Sequence, residues 1–244
     1  MRYKITLEYD GTPFVGWQEQ AGQLSVQSVV EKALHTFLRQ KIKIFASGRT
    51  DTGVHALGQV AHFDVDKKLN RRKAMYSLNA LMRPNPVVIR KMELVDDDFH
   101  ARFSAKQRTY LYRIQNTAFP PVLNANRVWH VNQKLDVKKM NQAAQLLIGK
   151  HDFSTFRAAN CQAKSPIKTL DVLTIKRVGE EVHITVSAKS FLYHQVRNFA
   201  GALVRVGIGK WSVADFERAF KAKDRTKGAE TAPAEGLYFM KVEY

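Results

Sequence analysis

The sequence predicts an α+β fold built from two β-α-β-β-α-β units. Some segments alternate polar and apolar residues as half-buried strands do, others place apolar residues at helical spacing, and the order of segments recurs in the second half. The chain has 244 residues, 45% of them hydrophobic, which is enough for a core in one large or two modest domains. We expect two domains, residues 1–105 and 106–244.

The first predicted unit begins with a strand over residues 3–9, where apolar and polar side chains alternate before a turn at Asp10 and Gly11. A helix follows, capped by Ser25 and apolar on one face. A second helix carries Met75, Leu78, Leu81 and Met82, and it should end at Arg83, since the residue before a proline is pushed out of helical geometry. Further strands are predicted over residues 42–46, 59–65 and 87–94.

The second predicted unit repeats this order with longer connections. Asp136 should cap a helix that Gly149 stops, and Gly179 lies in the turn of a hairpin. A long helix is expected from about residue 191 to 206. The strands are predicted over residues 109–115, 172–176, 181–187 and 237–244. This order is ferredoxin-like or RRM-like, and we expect the antiparallel sheets of the two units to join around a basic cleft.

Positive charge is the main feature of the composition. Lys and Arg number 39 against 22 Asp and Glu, so the net charge of +17 attracts polyanions, and nucleic acid is the natural partner. Basic residues concentrate over residues 67–73, 102–108 and 221–227. One such cluster alone is typical of a solvated face, but so large an excess opposes the compact state unless a polyanion or salt screens it.

Several classes of protein are disfavoured. One cysteine, Cys161, excludes an intramolecular disulfide and a cysteine-cluster zinc site, and predicts a reduced thiol in a cytoplasmic protein. The chain opens on an alternating segment rather than an apolar signal segment, and no run approaches the roughly 18 apolar residues that span a bilayer. None of the eight histidines lies in a His-Glu-x-x-His pattern. We therefore expect no membrane segment and no metal.

Two charged residues are candidates for chemistry. Residues 48–56 read GRTDTGVHA, which places Asp51 between turn-forming glycines just after a strand. From local sequence alone, Asp51 is better explained as a turn residue. Arg197 lies away from the apolar side of the long predicted helix, which is also the position of an ordinary solvated arginine.

Residues 48–56 resemble the signature loop of the tRNA pseudouridine synthase A family. Other stretches match in the right order: DGT at 10–12, GWQ at 16–18, RTYLY at 108–112, FLYHQVRN at 191–198 and EGLY at 235–238. The resemblance therefore covers nearly the whole chain. Thr52 is a departure, because the family more often has alanine there, and so small a change should not disturb the aspartate.

The resemblance implies isomerisation of uridine to pseudouridine at positions 38, 39 and 40 of the tRNA anticodon arm, without a cofactor and by a homodimer. Asp51 would be the catalytic carboxylate. The resemblance leaves open whether Asp51 attacks the sugar or the base or assists through a glycal-like intermediate. Arg197 would be its ion-pair partner. Arg49 would contact the RNA backbone or fill the space left by the flipped uridine. Tyr110 would stack on the extruded uracil.

Other functions are compatible with parts of the sequence. Periodicity alone makes Tyr110 a core residue beside Tyr112, and only the resemblance separates the two. The triplet at Asp51 also occurs in aspartic proteases, which need two such carboxylates where this chain has one copy. A non-catalytic RNA-binding module is the other alternative, but the aromatic strand motif of RNA-recognition domains is absent.

Overall fold

The computed structural model describes all 244 residues as ten β-strands, five α-helices and three short 3-10 helices. This mixed content is consistent with the predicted α+β class. The chain divides into two compact units, one made of Met1–Lys106 with Tyr238–Tyr244 and the other of Gln107–Leu237. None of the helices is long and apolar enough to cross a membrane.

Up to β4, the first unit follows the predicted order of strands and helices. Its elements are β1 (Arg2–Tyr9), α1 (Val26–Leu38), β2 (Phe45–Ala46), β3 (His55–Asp64), α2 (Arg71–Met82), β4 (Val87–Val95) and β10 (Leu237–Glu243). Strand β1 lies between β4 and β3 and is antiparallel to both. Along β3, Ala61 and His62 pair with the antiparallel β2, while His55 and Ala56 pair with the parallel β10.

The core of the first unit follows from the alternation in β1, whose odd-numbered residues from Tyr3 to Tyr9 are buried. Helix α2 packs against β4 and α1. Ser25 caps α1 as predicted, in a reciprocal capping box with Ser28. Helix α2 ends before Arg83, also as predicted. Leu81, one of the apolar residues of this helix, is 43% exposed.

The second unit contains a four-stranded antiparallel arrangement in the order β5-β9-β8-β7. Its elements are β5 (Gln107–Gln115), β6 (Trp129–His130), α3 (Val137–Gln145), β7 (Gly149–Asp152), β8 (Ile167–Val178), β9 (Glu181–Ala188), α4 (Gln195–Gly207) and α5 (Val213–Lys221). Helix α3 packs against β8, α4 and α5. The short β6 runs parallel to β5.

The second unit departs from the prediction in several places. Helix α4 begins at Gln195 rather than near residue 191, because His194 takes a left-handed conformation at φ 60°. Helix α5 and strands β6 and β7 were not predicted. Tyr238 and Phe239 of the last strand pair with β3 of the first unit, and the expectation that this strand closes the second unit stays a prediction. The ferredoxin-like description of the units stays a prediction.

Candidate active site

Asp51 lies in the loop between β2 and β3, and hydrogen bonds fix the backbone on both sides of it. The carbonyl of Thr50 accepts from the backbone N–H of Trp17 at 3.0 Å, and Thr50 Oγ1 lies 2.8 Å from the hydroxyl of Tyr9. After the aspartate, its own carbonyl accepts from the backbone N–H of Val54 at 3.1 Å. The position of the half-buried Asp51 is therefore set by hydrogen bonds to buried residues, and the loop is not an unsupported surface turn.

Side chains add three more attachments to this loop. Gln59, which is fully buried in β3, accepts from Ser47 Oγ at 2.7 Å and donates to the carbonyl of Gly48 at 2.9 Å. Thr52 Oγ1 donates to the carbonyl of Val15 at 3.0 Å. The residue that departs from the family pattern thus gives the loop an attachment that alanine could not make.

Two glycines allow residues 11–17 to lie directly against the loop. A Cβ on Gly11 would stand 2.1 Å from the carbonyl oxygen of Val54, and one on Gly16 would stand 2.4 Å from that of Thr50. Gly16 also has φ +107°, a conformation that residues with side chains rarely adopt. The DGT and GWQ stretches found in the sequence are therefore the support of the Asp51 loop.

The C-terminal EGLY stretch also reaches this loop. The ring of Tyr238 stacks on that of His55 with centroids 4.7 Å apart. His55 Nδ1 accepts from the backbone N–H of Gly11 at 3.0 Å and lies 3.2 Å from Asp10 Oδ1. The end of the loop is thereby joined to β10 and to the turn after β1.

Burial defines the chemical character of the loop's supports. Burial raises the pKa of Tyr9 to about 12, with the hydrogen bond to Thr50 opposing the shift, so its hydroxyl stays protonated over the working range of pH. Arg49, two residues before Asp51, is exposed. The loop therefore presents one half-buried carboxylate and one solvent-facing guanidinium, and it is supported by hydrogen-bonded side chains such as the neutral Tyr9.

Tyr110 and Tyr112 differ although they alternate on one strand. Tyr112 is fully buried, and its hydroxyl donates to the carbonyl of Pro233 at 2.7 Å. Burial also raises the pKa of Tyr112, so it remains a neutral core residue. Tyr110 is only half-buried, and the ring of Phe191 meets it edge-on at 5.2 Å. The structure thus provides a distinction that periodicity could not make.

Arg197 lies in the first turn of α4, and both its backbone and its side chain form hydrogen bonds with Ala232. Its Nε donates to the carbonyl of Ala232 at 2.8 Å, and its own carbonyl accepts from the N–H of Ala232 at 3.2 Å. The next residue, Asn198, is buried and donates to the carbonyl of Phe156 at 2.8 Å while its Oδ1 accepts from Thr231 at 2.7 Å. The backbone and the side chain of the half-buried Arg197 are therefore both held in place by hydrogen bonds.

Two of the four residues singled out by the sequence belong to each unit. Arg49 and Asp51 share one loop of the first unit, while Tyr110 and Arg197 belong to the second unit. Sequence reasoning missed the residues that hold them in place, such as Gln59. A buried amide in an apolar strand was the one available signal for Gln59, since such a group must find hydrogen-bond partners.

Comparison with known proteins connects this geometry to a family. A family model described as tRNA pseudouridine synthase matches residues 5–104 and 143–244, ranges that include Asp51 and Arg197 and lie on either side of Tyr110. A protein of Paramagnetospirillum magneticum named tRNA pseudouridine synthase A is 53% identical, with 100% of this chain and 95% of the relative covered. Another of that name, from Rhodospirillum centenum, is 51% identical over 100% of this chain and 99% of its own. This chain belongs to the tRNA pseudouridine synthase family.

Proposed function

We propose that this protein isomerises uridine to pseudouridine at positions 38, 39 and 40 of the tRNA anticodon arm, with Asp51 as the catalytic carboxylate. Family membership makes it an isomerase that acts on tRNA. The positions and the role of Asp51 rest on the resemblance of residues 48–56 to the family's loop. The observation that best supports the role of Asp51 is the fixed backbone on both sides of it, which suits a group that must meet a substrate in one geometry.

The reaction defines what the carboxylate must do. The bond between uracil N1 and the ribose C1′ breaks, the base rotates, and a bond from C5 to the same C1′ replaces it, while C5 loses a proton and N1 gains one. No electrons leave the nucleoside, so the proposal includes no cofactor. Asp51 acts either as a nucleophile towards the sugar or the base, or as a base that leads to a glycal-like intermediate.

Three further residues complete the proposal. Tyr110 stacks on the extruded uracil, a role that its half-buried ring and its edge contact with Phe191 support. Arg197 pairs with the carboxylate and holds it in place, and its fixed Nε supports this positioning role. Arg49 is exposed, as a contact to the RNA backbone requires. By the same resemblance we propose a homodimer, and tRNA as substrate favours the cytoplasm, where Cys161 would remain reduced.

The central experiment maps pseudouridine on a transcript that contains the anticodon arm, incubated with the purified protein alone. Asp51→Asn keeps the size of the side chain but removes its charge, so turnover should fall to background. Affinity for tRNA should hold or rise, because a carboxylate near the RNA is gone. Asp98→Asn makes the same chemical change at an exposed position and should leave turnover unchanged.

The outcomes separate the competing functions. Unmodified uridines at all three positions with the wild-type protein would refute the assigned positions, and tRNA binding without any turnover would favour a non-catalytic RNA-binding module. If Asp51→Asn retained substantial activity, Asp51 would be only a turn residue.

A further inference from the structure

The segment between β3 and the first turn of α2 carries an unusual set of cations. All of its basic side chains are exposed, and none of them makes an ion pair in the structure. The set, which we call the α2 basic patch, consists of Lys67, Lys68, Arg71, Arg72 and Lys73. Elsewhere in the same unit Arg2, Lys4 and Arg90 each bind a carboxylate.

The other two basic clusters of the sequence do not share this property. In the 102–108 cluster, Arg108 is buried and donates to the carbonyl of Lys189. In the 221–227 cluster, Lys221 pairs with Glu217 at 2.7 Å, and Arg225 Nη1 donates to the carbonyl of Ala229 at 2.8 Å. Of the three clusters, only the α2 basic patch therefore leaves every cation available to a partner.

The location of these cations is unfavourable for the helix itself. Arg71, Arg72 and Lys73 occupy the first turn of α2, which contains no acidic residue. The positive end of the helix dipole lies there, so cations in this turn oppose helix formation instead of supporting it. Asn70 caps the helix by accepting from the N–H of Lys73 at 3.1 Å, which satisfies the backbone without any charge. The patch is therefore not explained by the stability of α2.

An exposed aromatic ring lies beside the patch. Tyr76 is 69% exposed, one helical turn after Arg72, whose guanidinium lies 5.9 Å from the centre of the tyrosine ring. A cation next to an accessible aromatic face is a common arrangement in surfaces that bind nucleic acids, since the cation contacts phosphate and the ring packs on a base or sugar.

The patch and the Asp51 loop lie near opposite ends of β1. Leu69, within the patch segment, donates its N–H to the hydroxyl of Tyr3 at 2.8 Å, whereas Thr50 contacts the hydroxyl of Tyr9. Tyr9 follows Tyr3 by six residue steps along an extended strand, a distance of about 20 Å. No single nucleotide spans that distance, so a ligand that contacts both places must be a polymer.

We propose that the α2 basic patch with Tyr76 is a second RNA-contacting surface, which binds the phosphodiester backbone of the tRNA about 20 Å from the uridine being isomerised. Five unpaired cations complement the charge of that backbone, and contacts to phosphate fix the position of an RNA without reading its sequence. The inference rests on the proposed function, because it assumes that the polymer at the Asp51 loop is the same tRNA.

The test is a variant that carries Lys67→Gln, Lys68→Gln, Arg71→Gln, Arg72→Gln and Lys73→Gln. The matched control removes the same charge from five cations that are ion-paired in the structure: Lys91→Gln, Lys139→Gln, Arg218→Gln, Lys221→Gln and Lys241→Gln. The patch variant should raise the KM for full-length tRNA about tenfold with little change in kcat, and lower the slope of log affinity against log salt by about 3. The control should change each quantity far less.

Two measurements keep the outcome decisive. Thermal unfolding should show that the patch variant is at least as stable as the wild type, since cations at the wrong end of a helix are removed. Salt slopes and KM values equal to those of the control would overturn the inference. Binding of the wild type to phosphatidylglycerol vesicles, lost in the patch variant while tRNA binding is kept, would also overturn it. Because tRNA binding is measured without turnover, failure of the proposed isomerisation is recognised separately.

Discussion

At the scale of single residues, burial decides which side chains can serve a substrate. Tyr110 and Tyr112 project from one face of β5, and their sequence environments are nearly the same. Gly236 leaves no space beyond Tyr112, because a Cβ there would lie 2.6 Å from its ring. Tyr112 is thereby committed to the core, and the chemistry available to Tyr110 follows from its incomplete burial rather than from its residue type.

Substitutions at the two tyrosines should therefore affect different measurements. Tyr112→Phe leaves the carbonyl of Pro233 without its donor, so we expect a loss of about 1–3 kcal/mol in the free energy of unfolding. Tyr110→Leu should lower turnover by at least about tenfold, the equivalent of 1.4 kcal/mol or more in stacking, while Tyr110→Phe keeps the ring and most of the activity. Urea unfolding and pseudouridine formation check the two effects. Equal loss of turnover in both Tyr110 variants would contradict a stacking role.

His62 makes the stability of the first unit depend on pH. Burial, followed by the neighbouring His100 and Arg2, lowers its pKa to about 4 from an ordinary 6.5. Its Nδ1 accepts from the backbone N–H of Ala101 at 3.2 Å, which requires the neutral ring. Between these two pKa values the unfolded chain binds a proton that the folded chain does not, so stability should fall as pH decreases from about 6.5 to about 4.

The size of that effect can be measured directly. A shift of this extent corresponds to about 3 kcal/mol, all of it present above pH 6.5 and lost by pH 4. The His62→Gln variant cannot titrate there, so its free energy of unfolding should depend less steeply on pH across the same window. Parallel pH profiles for the wild type and the variant would assign the acid sensitivity to other groups.

At the scale of elements, the Asp51 loop is built by contact with residues 11–17 and not by its own turn residues alone. Gly16→Ala would force a Cβ against the carbonyl of Thr50 and would also strain a backbone at φ +107°. We expect a loss of at least about tenfold in turnover, because a displacement next to Asp51 misplaces the carboxylate.

Gly22→Ala provides the matched control for this substitution. Gly22 has a positive φ of +72°, but a Cβ there would meet nothing within 4 Å. It should cost about 1–2 kcal/mol of stability from backbone strain and leave turnover nearly unchanged. If both alanine variants lost activity to the same degree, contact with the loop would not be the cause.

Local signals in the sequence were sufficient for several elements. Ser25 and Asp136 were predicted to cap helices, and each accepts a hydrogen bond from the N–H three residues on. The start of α4 was predicted too early because the apolar periodicity extends back to Leu192. Periodicity does not reveal that His194 takes a left-handed conformation. The pairing of β10 with β3 was not predicted, because strand pairing between distant segments is not encoded in either segment alone.

The same limit applies to the candidate site. Asp51 was visible because glycines bracket a carboxylate after a strand, and Arg197 because it lies off the apolar side of a helix. What holds them could not be seen, since Trp17 and Ala232 reach their partners only through the tertiary fold. Their hydrogen bonds are made by backbone groups, which every residue possesses and which therefore give no signal in the sequence.

At the scale of the whole molecule, an excess of 17 positive charges acts on both folding and binding. Mutual repulsion among cations opposes the compact state, and a polyanion or salt relieves it. The ion pairs that the structure provides involve a minority of the 39 basic residues, so most of the excess is left for solvent or RNA. Salt should therefore influence stability and tRNA affinity in opposite directions.

We predict that added salt raises the stability of the protein and lowers its affinity for tRNA. Raising the ionic strength from about 0.01 M to about 0.15 M shortens the screening length from about 30 Å to about 8 Å, which weakens repulsion among the cations. The urea midpoint of the RNA-free protein should rise, while affinity for tRNA falls because each counterion released on binding gains less entropy when the bulk salt is more concentrated. The five-glutamine variant of the α2 basic patch has a net charge of 17 − 5 = +12, so its midpoint should rise less than that of the wild type.

A urea midpoint that falls with added salt would contradict this prediction. It would mean that attraction within ion pairs, such as Arg113 with Glu181, outweighs repulsion among the unpaired cations. The folded protein would then tolerate its excess charge without a polyanion.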